Sequence, residues 1–122
     1  MRRKIILIDD DPITIAILAA AVAQAGDDVF SARDGDAGFA LVDRERPDLV
    51  VTDLLIPKSD GITVCKRIRE GPAAASTKVI IMSGLRNPGM QREAQSCGAD
   101  LFLEKPVNPE TFIATVGRLI GA

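Results

Sequence analysis

Five short apolar runs, each followed by a stretch with helical patterning, constrain this chain more than any other feature. KIILI (4–8), VFSA (29–32), DLVVTD (48–53), KVIIMS (78–83) and LFLE (101–104) read as strands. They are short, and their apolar residues run on without strict alternation, as in strands buried on both faces. Between and after them, residues 12–25, 35–45, 62–70, 89–97 and 109–120 read as helices. Pro12 stands near the start of the first helix and Gly26 just past its end. Ala37, Phe39, Ala40 and Leu41 supply the buried side of the second, and Ile62, Cys65 and Ile68 fall at helical spacing in the third. Pro47 breaks the chain before the third strand, and LLIPKSDG (54–61) carries turn residues. GPAAAST (71–77) reads as a loop with scope for movement, and Gly98 ends the fourth helix. Alternating strands and helices imply an α/β fold, a doubly wound parallel sheet with helices on both faces. Right-handed crossovers then leave few topologies. No internal repeat, low-complexity tract or linker interrupts the pattern, so one domain is expected over residues 1–122.

Composition narrows the function. The 122 residues are enough for a sizeable core. Apolar residues make up 47% but aromatic ones only 3%, with no Trp and no Tyr. The core is therefore aliphatic, and base-stacking platforms for nucleic acid are not expected. The net charge of −2 offers no basic field for a phosphate backbone, so direct nucleic-acid binding is not expected either. Histidine is absent, which excludes imidazole acid–base chemistry and phosphohistidine formation within this chain. Cys65 and Cys97 do not form a CxxC pair, and without histidine a zinc site lacks its usual ligands. Both read as small, partly buried hydrophobes in a reducing compartment. No apolar run approaches membrane-spanning length. The basic residues 2–4 precede only four apolar residues and then acids, a strand rather than a signal sequence. A cytoplasmic location is expected.

In a parallel sheet, ligands bind beyond the carboxyl ends of the strands. The first strand ends in Asp9 and Asp10, the third in Asp53, the fourth in Ser83, and the fifth in Lys105 followed by Pro106. The second offers nothing obvious. Three acids, a hydroxyl and an amine are thus expected at one edge. Clustered carboxylates suit a hard divalent cation such as Mg²⁺, which takes one or two carboxylates and keeps several waters. Asp10 is the favoured direct ligand, Asp9 acts through water, and Asp11 caps the next helix. The competing reading is an acidic turn with a helix cap. Asp53 is either a plain strand-end acid or a nucleophile that attacks phosphorus to form an acyl phosphate. Metal and Lys105 would offset the charge of an incoming phosphoryl group, and the Ser83 hydroxyl could bond one of its oxygens. Taken singly, Lys105 reads as a solvated surface lysine.

The motifs IDDDP, VVTDLLIPKSDG, IIMSG and LEKP, in this order and spacing, make the chain resemble a receiver domain of two-component response regulators. The resemblance covers essentially the whole chain. It implies a flavodoxin-like, five-stranded sheet of order 2-1-3-4-5. It implies that Asp53 is the phosphoacceptor, that Asp9 and Asp10 are the acidic Mg²⁺ pair, and that the Leu55 backbone carbonyl is a third protein ligand alongside Asp53. Ser83 matches the switch hydroxyl, Lys105 the lysine of the family pattern, and Phe102 the switch aromatic. Pro57 and Gly61 match residues that shape the turn after the acceptor. The implied phosphodonor is a sensor histidine kinase or a histidine phosphotransfer protein. The implied output is a changed surface on the fourth helix, fifth strand and fifth helix, met by a downstream protein whose identity the sequence does not carry. A phosphorylation-dependent homodimer through the fourth and fifth helices is one arrangement of that output.

Departures from the family pattern carry expectations of their own. Phe102 lacks the hydroxyl of the tyrosine often found there. Leu55 and Leu85 lie two residues after the acceptor and the switch hydroxyl, where polar side chains could orient an attacking water, so slow self-dephosphorylation is expected. Asn87-Pro88-Gly89 is expected to make the start of the fourth helix irregular. Three other functions compete. Asp9-x-Asp11 after a strand resembles the nucleophile motif of haloacid-dehalogenase-type phosphatases. However, Pro12-Ile13 replaces its continuation, the chain is short for a capped fold, and no acidic pair follows Lys105. A flavodoxin-like cofactor module would need a Gly/Ser/Thr-rich phosphate loop where this chain has acids. A phosphorylation-independent docking receiver would not need the full acid, hydroxyl and lysine set. A signalling domain rather than an enzyme is the expected reading.

Overall fold

A computed structural model describes residues 2–84 and 88–121. Its elements alternate strictly: β1 (Lys4–Ile8), α1 (Pro12–Gln24), β2 (Asp28–Ala32), α2 (Gly35–Glu45), β3 (Leu49–Asp53), α3 (Gly61–Glu70), β4 (Lys78–Ser83), α4 (Pro88–Ser96), β5 (Leu101–Glu104) and α5 (Pro109–Ile120). The strands form one sheet in the order β2-β1-β3-β4-β5, and every pairing is parallel. Strand positions agree with the apolar runs to within one residue at either end.

The sheet divides the core into two layers. Ile5, Leu7, Leu49, Val51, Ile80 and Met82 face α1 and α5, where Leu18, Val22, Phe112 and Val116 meet them. Ile6, Ile8, Val50, Val79 and Ile81 face the other helices and pack with Val42, Ile62, Cys65, Ile68 and Ala94. Successive strand residues therefore serve opposite layers, and both layers are dry, which is why the runs do not alternate with polar residues. Each aliphatic side chain buried this way contributes roughly 1.5–3 kcal/mol.

Helix starts follow their caps. Asp11, Asp34, Asp60 and Asn108 accept first-turn N–H groups of α1, α2, α3 and α5 through their side chains. α1 has no charged residue over its whole length, and it leaves Ile13 and Ile17 exposed. α4 begins at Pro88. Leu85 and Asn87, on which two expectations rest, lie outside the described residues.

Residues 71–77 form the expected loop between α3 and β4. Ala73 and Thr77 are buried, and the Thr77 hydroxyl donates to the Pro47 carbonyl at 2.7 Å. Arg69 donates to the carbonyls of Ala74 (2.8 Å), Thr77 (2.7 Å) and Gly98 (2.7 Å), and pairs with Asp100 at 2.7 Å. One guanidinium thus supplies the donors that these backbone carbonyls need. The cation that ties these carbonyls lies outside the segment, on α3. Cys65 and Cys97 are buried free thiols. Burial, with the neighbouring Cys97, pushes Cys65 up to about 12, which fits an inert packing residue.

Candidate functional site

β1 lies between β2 and β3, and the connections that follow β1 and β3 run to opposite sides, β1 to β2 and β3 to β4. In such sheets ligands bind at this point, outside the carboxyl ends of the strands. Asp9 and Asp10 follow β1 and Asp53 ends β3. Asp53 stands opposite Met82, one residue before the buried Ser83, and Ser83 stands opposite Glu104, one residue before Lys105. Parallel register therefore carries all five expected side chains to one edge.

The three consecutive acids occupy different environments. Asp9 is 1% exposed. One of its oxygens accepts the Asp11 N–H at 2.9 Å and the other accepts Lys105 Nζ at 2.7 Å. Asp10 is exposed. Asp11 caps α1, accepting the Ile13 N–H at 3.0 Å and the Thr14 hydroxyl at 2.7 Å. Those two bonds, the hydroxyl foremost, hold its carboxyl below the ordinary range. Lys105 is no solvated surface lysine, because its ammonium also lies 3.2 Å from Asp53 and so bridges Asp9 and Asp53. One oxygen each from Asp9, Asp10 and Asp53 fall within 4.8 Å of one another. Three hard oxygen donors at that spacing fit a divalent cation.

Burial raises the Asp53 carboxyl above its ordinary 3.8, and the charge of Asp9 adds to this, while Lys105 pulls the other way. For Lys105, burial lowers the ammonium, but the bond to Asp9 and the charges of both acids more than compensate, so it stays protonated. The sign for Asp53 has a consequence for stability. The folded chain keeps a proton on Asp53 at pH values where the unfolded chain has lost it, so stability falls as pH rises from 3.8 through the folded value. Ionised Asp53 then opposes folding at neutral pH. Asp53→Asn is expected to melt at a higher temperature than the unsubstituted chain at pH 7 without metal, with the gap closing below about pH 3.8. Thermal melts across a pH series check this, and a lower melting point for the variant at pH 7 contradicts it.

The segment after Asp53 turns sharply. The Leu54 N–H donates to Met82 at 2.8 Å and the Gly61 N–H donates to Leu54 at 2.9 Å. A Cβ on Gly61 would come within 2.5 Å of the Asp53 carbonyl, so this approach needs glycine. Leu55, between these ties, is 50% exposed. Phe102 is half-buried on β5 and lines a cavity of about 240 Å³ with Ala94, Gln95 and Ala99.

Two features escaped the sequence reading. β2 does contribute: Arg33, just past its end, donates to the Asp10 carbonyl at 3.3 Å. The strand-end rule that located the other residues applies equally to Arg33. A cavity of about 350 Å³ also opens beside Lys105, lined by Asp11, Thr14, Ile17, Leu18, Pro106 and Val107. The absence of charge over residues 12–24 was its signal.

Residues 5–117 match the family described as response regulator receiver domain. The DNA-binding dual master transcriptional regulator RpaA of Synechocystis is 37% identical over 96% of this chain and 48% of its own length. A gliding motility regulatory protein of Myxococcus xanthus is 38% identical over 97% of the chain and 15% of its own length. The chain thus spans about half, or much less, of these relatives. Among solved structures, the chemotaxis response regulator CheY4 of Vibrio cholerae superposes with a TM-score of 0.90 at 26% identity, covering 98% of this chain and 99% of its own. A BeF3-activated DrrB receiver domain gives 0.88 at 29% identity, covering both chains fully. Among the described residues, no helix is long and apolar enough to cross a membrane. With its 2-1-3-4-5 parallel sheet and its cluster of three carboxylates, the chain belongs to the receiver domains of two-component response regulators, a family of signalling domains with a flavodoxin-like fold.

Proposed function

We propose that the chain, as one receiver unit over residues 1–122, accepts a phosphoryl group on Asp53 from a phosphohistidine of a sensor kinase or phosphotransfer protein in the cytoplasm. The observation that carries this reading is the Lys105 ammonium bridging Asp9 and Asp53 beside a trio of carboxylate oxygens within 4.8 Å. Asp9, Asp10, Asp53 and the Leu55 carbonyl are the proposed ligands of Mg²⁺. When bound, Mg²⁺ supplies positive charge that offsets repulsion between carboxylate and phosphoryl oxygens. An Asp53 oxygen forms the new bond to phosphorus as the phosphorus–nitrogen bond of the donor breaks, and the imidazole keeps the electron pair. Lys105, held at the acceptor by Asp9, meets a phosphoryl oxygen as a point charge. Ser83 closes on another oxygen of the product. The added dianion is a local charge event that biases a two-state element. Phe102 then turns inward, and the α4, β5 and α5 surface exchanges partners.

The apolar cavity beside Lys105 gives a protein donor ground to rest on next to the acceptor. A phosphatase reading with Asp9 as nucleophile is disfavoured, since both Asp9 oxygens are engaged and the side chain is buried. Leu55 places no polar side chain beside the acceptor, so the acyl phosphate is expected to last for minutes or longer. A lifetime of seconds, followed by mass after removal of the donor, contradicts this. The switch itself is tested by NMR on titration with beryllofluoride and Mg²⁺. Coupled shifts at Ser83 and Phe102 are expected, whereas binding that leaves both resonances in place supports a docking module that does not switch.

A further inference from the structure

The loop that carries Leu55 is anchored from outside the site. The Gly35 N–H, at the first residue of α2, donates to the Pro57 carbonyl at 3.1 Å. The Ser59 hydroxyl donates to Asp36 at 2.7 Å. Gly35 and Ser59 approach so closely that a Cβ on Gly35 would lie 2.0 Å from the Ser59 carbonyl oxygen. Lys58 takes a left-handed backbone at φ 72, and its ammonium stands 3.8 Å from Asp34. The lysine end of that pair is exposed and the separation long, so it adds little by itself. The backbone contact at Gly35 is the tight one, and it is backbone against backbone, so no side-chain rotation relieves it. On its other side the same segment reaches the acids, because Arg33 donates to the Asp10 carbonyl at 3.3 Å.

Residues 33–36 therefore touch both halves of the proposed metal site: Asp10 after β1, and the loop after Asp53. We infer that the first turn of α2 is a positioning element for the metal site, with Gly35 and Ser59 setting where the Leu55 loop stands relative to Asp10. None of these side chains ligates the ion. They act as outer groups that orient the ligands, and loss of such groups commonly costs about tenfold or more in metal affinity. The inference rests on the acceptor reading above, with the Leu55 carbonyl as a ligand.

Calorimetric titration with Mg²⁺ alone tests it, using the unsubstituted chain, Gly35→Ala, Ser59→Ala and a control, Arg69→Ala. Arg69 lies at the opposite end of the strands, so its loss lowers the melting temperature without touching the loop. Gly35→Ala is expected to weaken Mg²⁺ binding about tenfold. Ser59→Ala is expected to weaken it about threefold through loss of one hydrogen bond. Arg69→Ala is expected to melt lower yet bind as the unsubstituted chain does. Should Gly35→Ala not fold, Ser59→Ala decides alone. Unchanged affinity in the loop variants, or an equal loss in Arg69→Ala, overturns the inference while leaving the acceptor reading intact. No Mg²⁺ binding by the unsubstituted chain overturns both.

Discussion

Lys105→Met is expected to slow phosphorylation of Asp53 by about 100-fold, equivalent to ~2.7 kcal/mol of barrier, the usual cost of removing one charge-stabilising donor at a transition state. The ammonium is only partly exposed, and it contacts Asp9 at 2.7 Å and Asp53 at 3.2 Å. Methionine keeps the aliphatic stem and removes the charge. A second effect separates chemistry from folding. The ammonium competes with any cation for the Asp9 and Asp53 oxygens, so its removal is expected to leave Mg²⁺ affinity unchanged or raised while the rate falls. Acetyl phosphate time courses by intact mass at saturating Mg²⁺, paired with calorimetry, measure both. An unchanged rate contradicts the role given to Lys105. A parallel collapse of rate and metal affinity points instead to a disordered site.

Phe112→Ala carries the largest expected loss of stability, about 3–5 kcal/mol. The ring is fully buried on α5, in the layer built from Ile5, Leu7, Leu49, Ile80 and Met82. Truncation leaves a cavity that the rigid sheet cannot close. Domains of this size are stable by only about 5–15 kcal/mol, so one side chain accounts for a large share. Urea unfolding followed by far-UV circular dichroism measures it, since the chain has no Trp or Tyr to report by fluorescence. A loss below about 1 kcal/mol means the layer repacks, against the close packing seen around the ring.

The strands were legible because a dry parallel sheet writes itself as uninterrupted apolar runs. Their ends place Asp9, Asp10, Asp53, Ser83 and Lys105 together, since parallel strands finish on one edge. Helix boundaries strayed by one residue where caps set them: Asp60 starts α3 at Gly61, and Ala25 follows the last helical residue of α1 as its cap. What could not be read was partnership at long range. Lys105 meets Asp9 across 96 positions of chain, and Arg69 reaches Gly98 and Asp100 from α3. Periodicity reports which face a residue occupies, not which distant donor answers its carbonyl. Arg33 and Gly35 escape for a related reason: the end of the second strand offers nothing obvious by itself, and a close backbone approach leaves only a glycine as its trace.

The most direct measurement is the intact mass of the chain after incubation with acetyl phosphate, with and without Mg²⁺, for the unsubstituted protein and Asp53→Asn. The account predicts one phosphoryl addition that requires Mg²⁺ and is absent from the variant. Addition that persists in Asp53→Asn, or no addition to the unsubstituted chain in the presence of Mg²⁺, contradicts it.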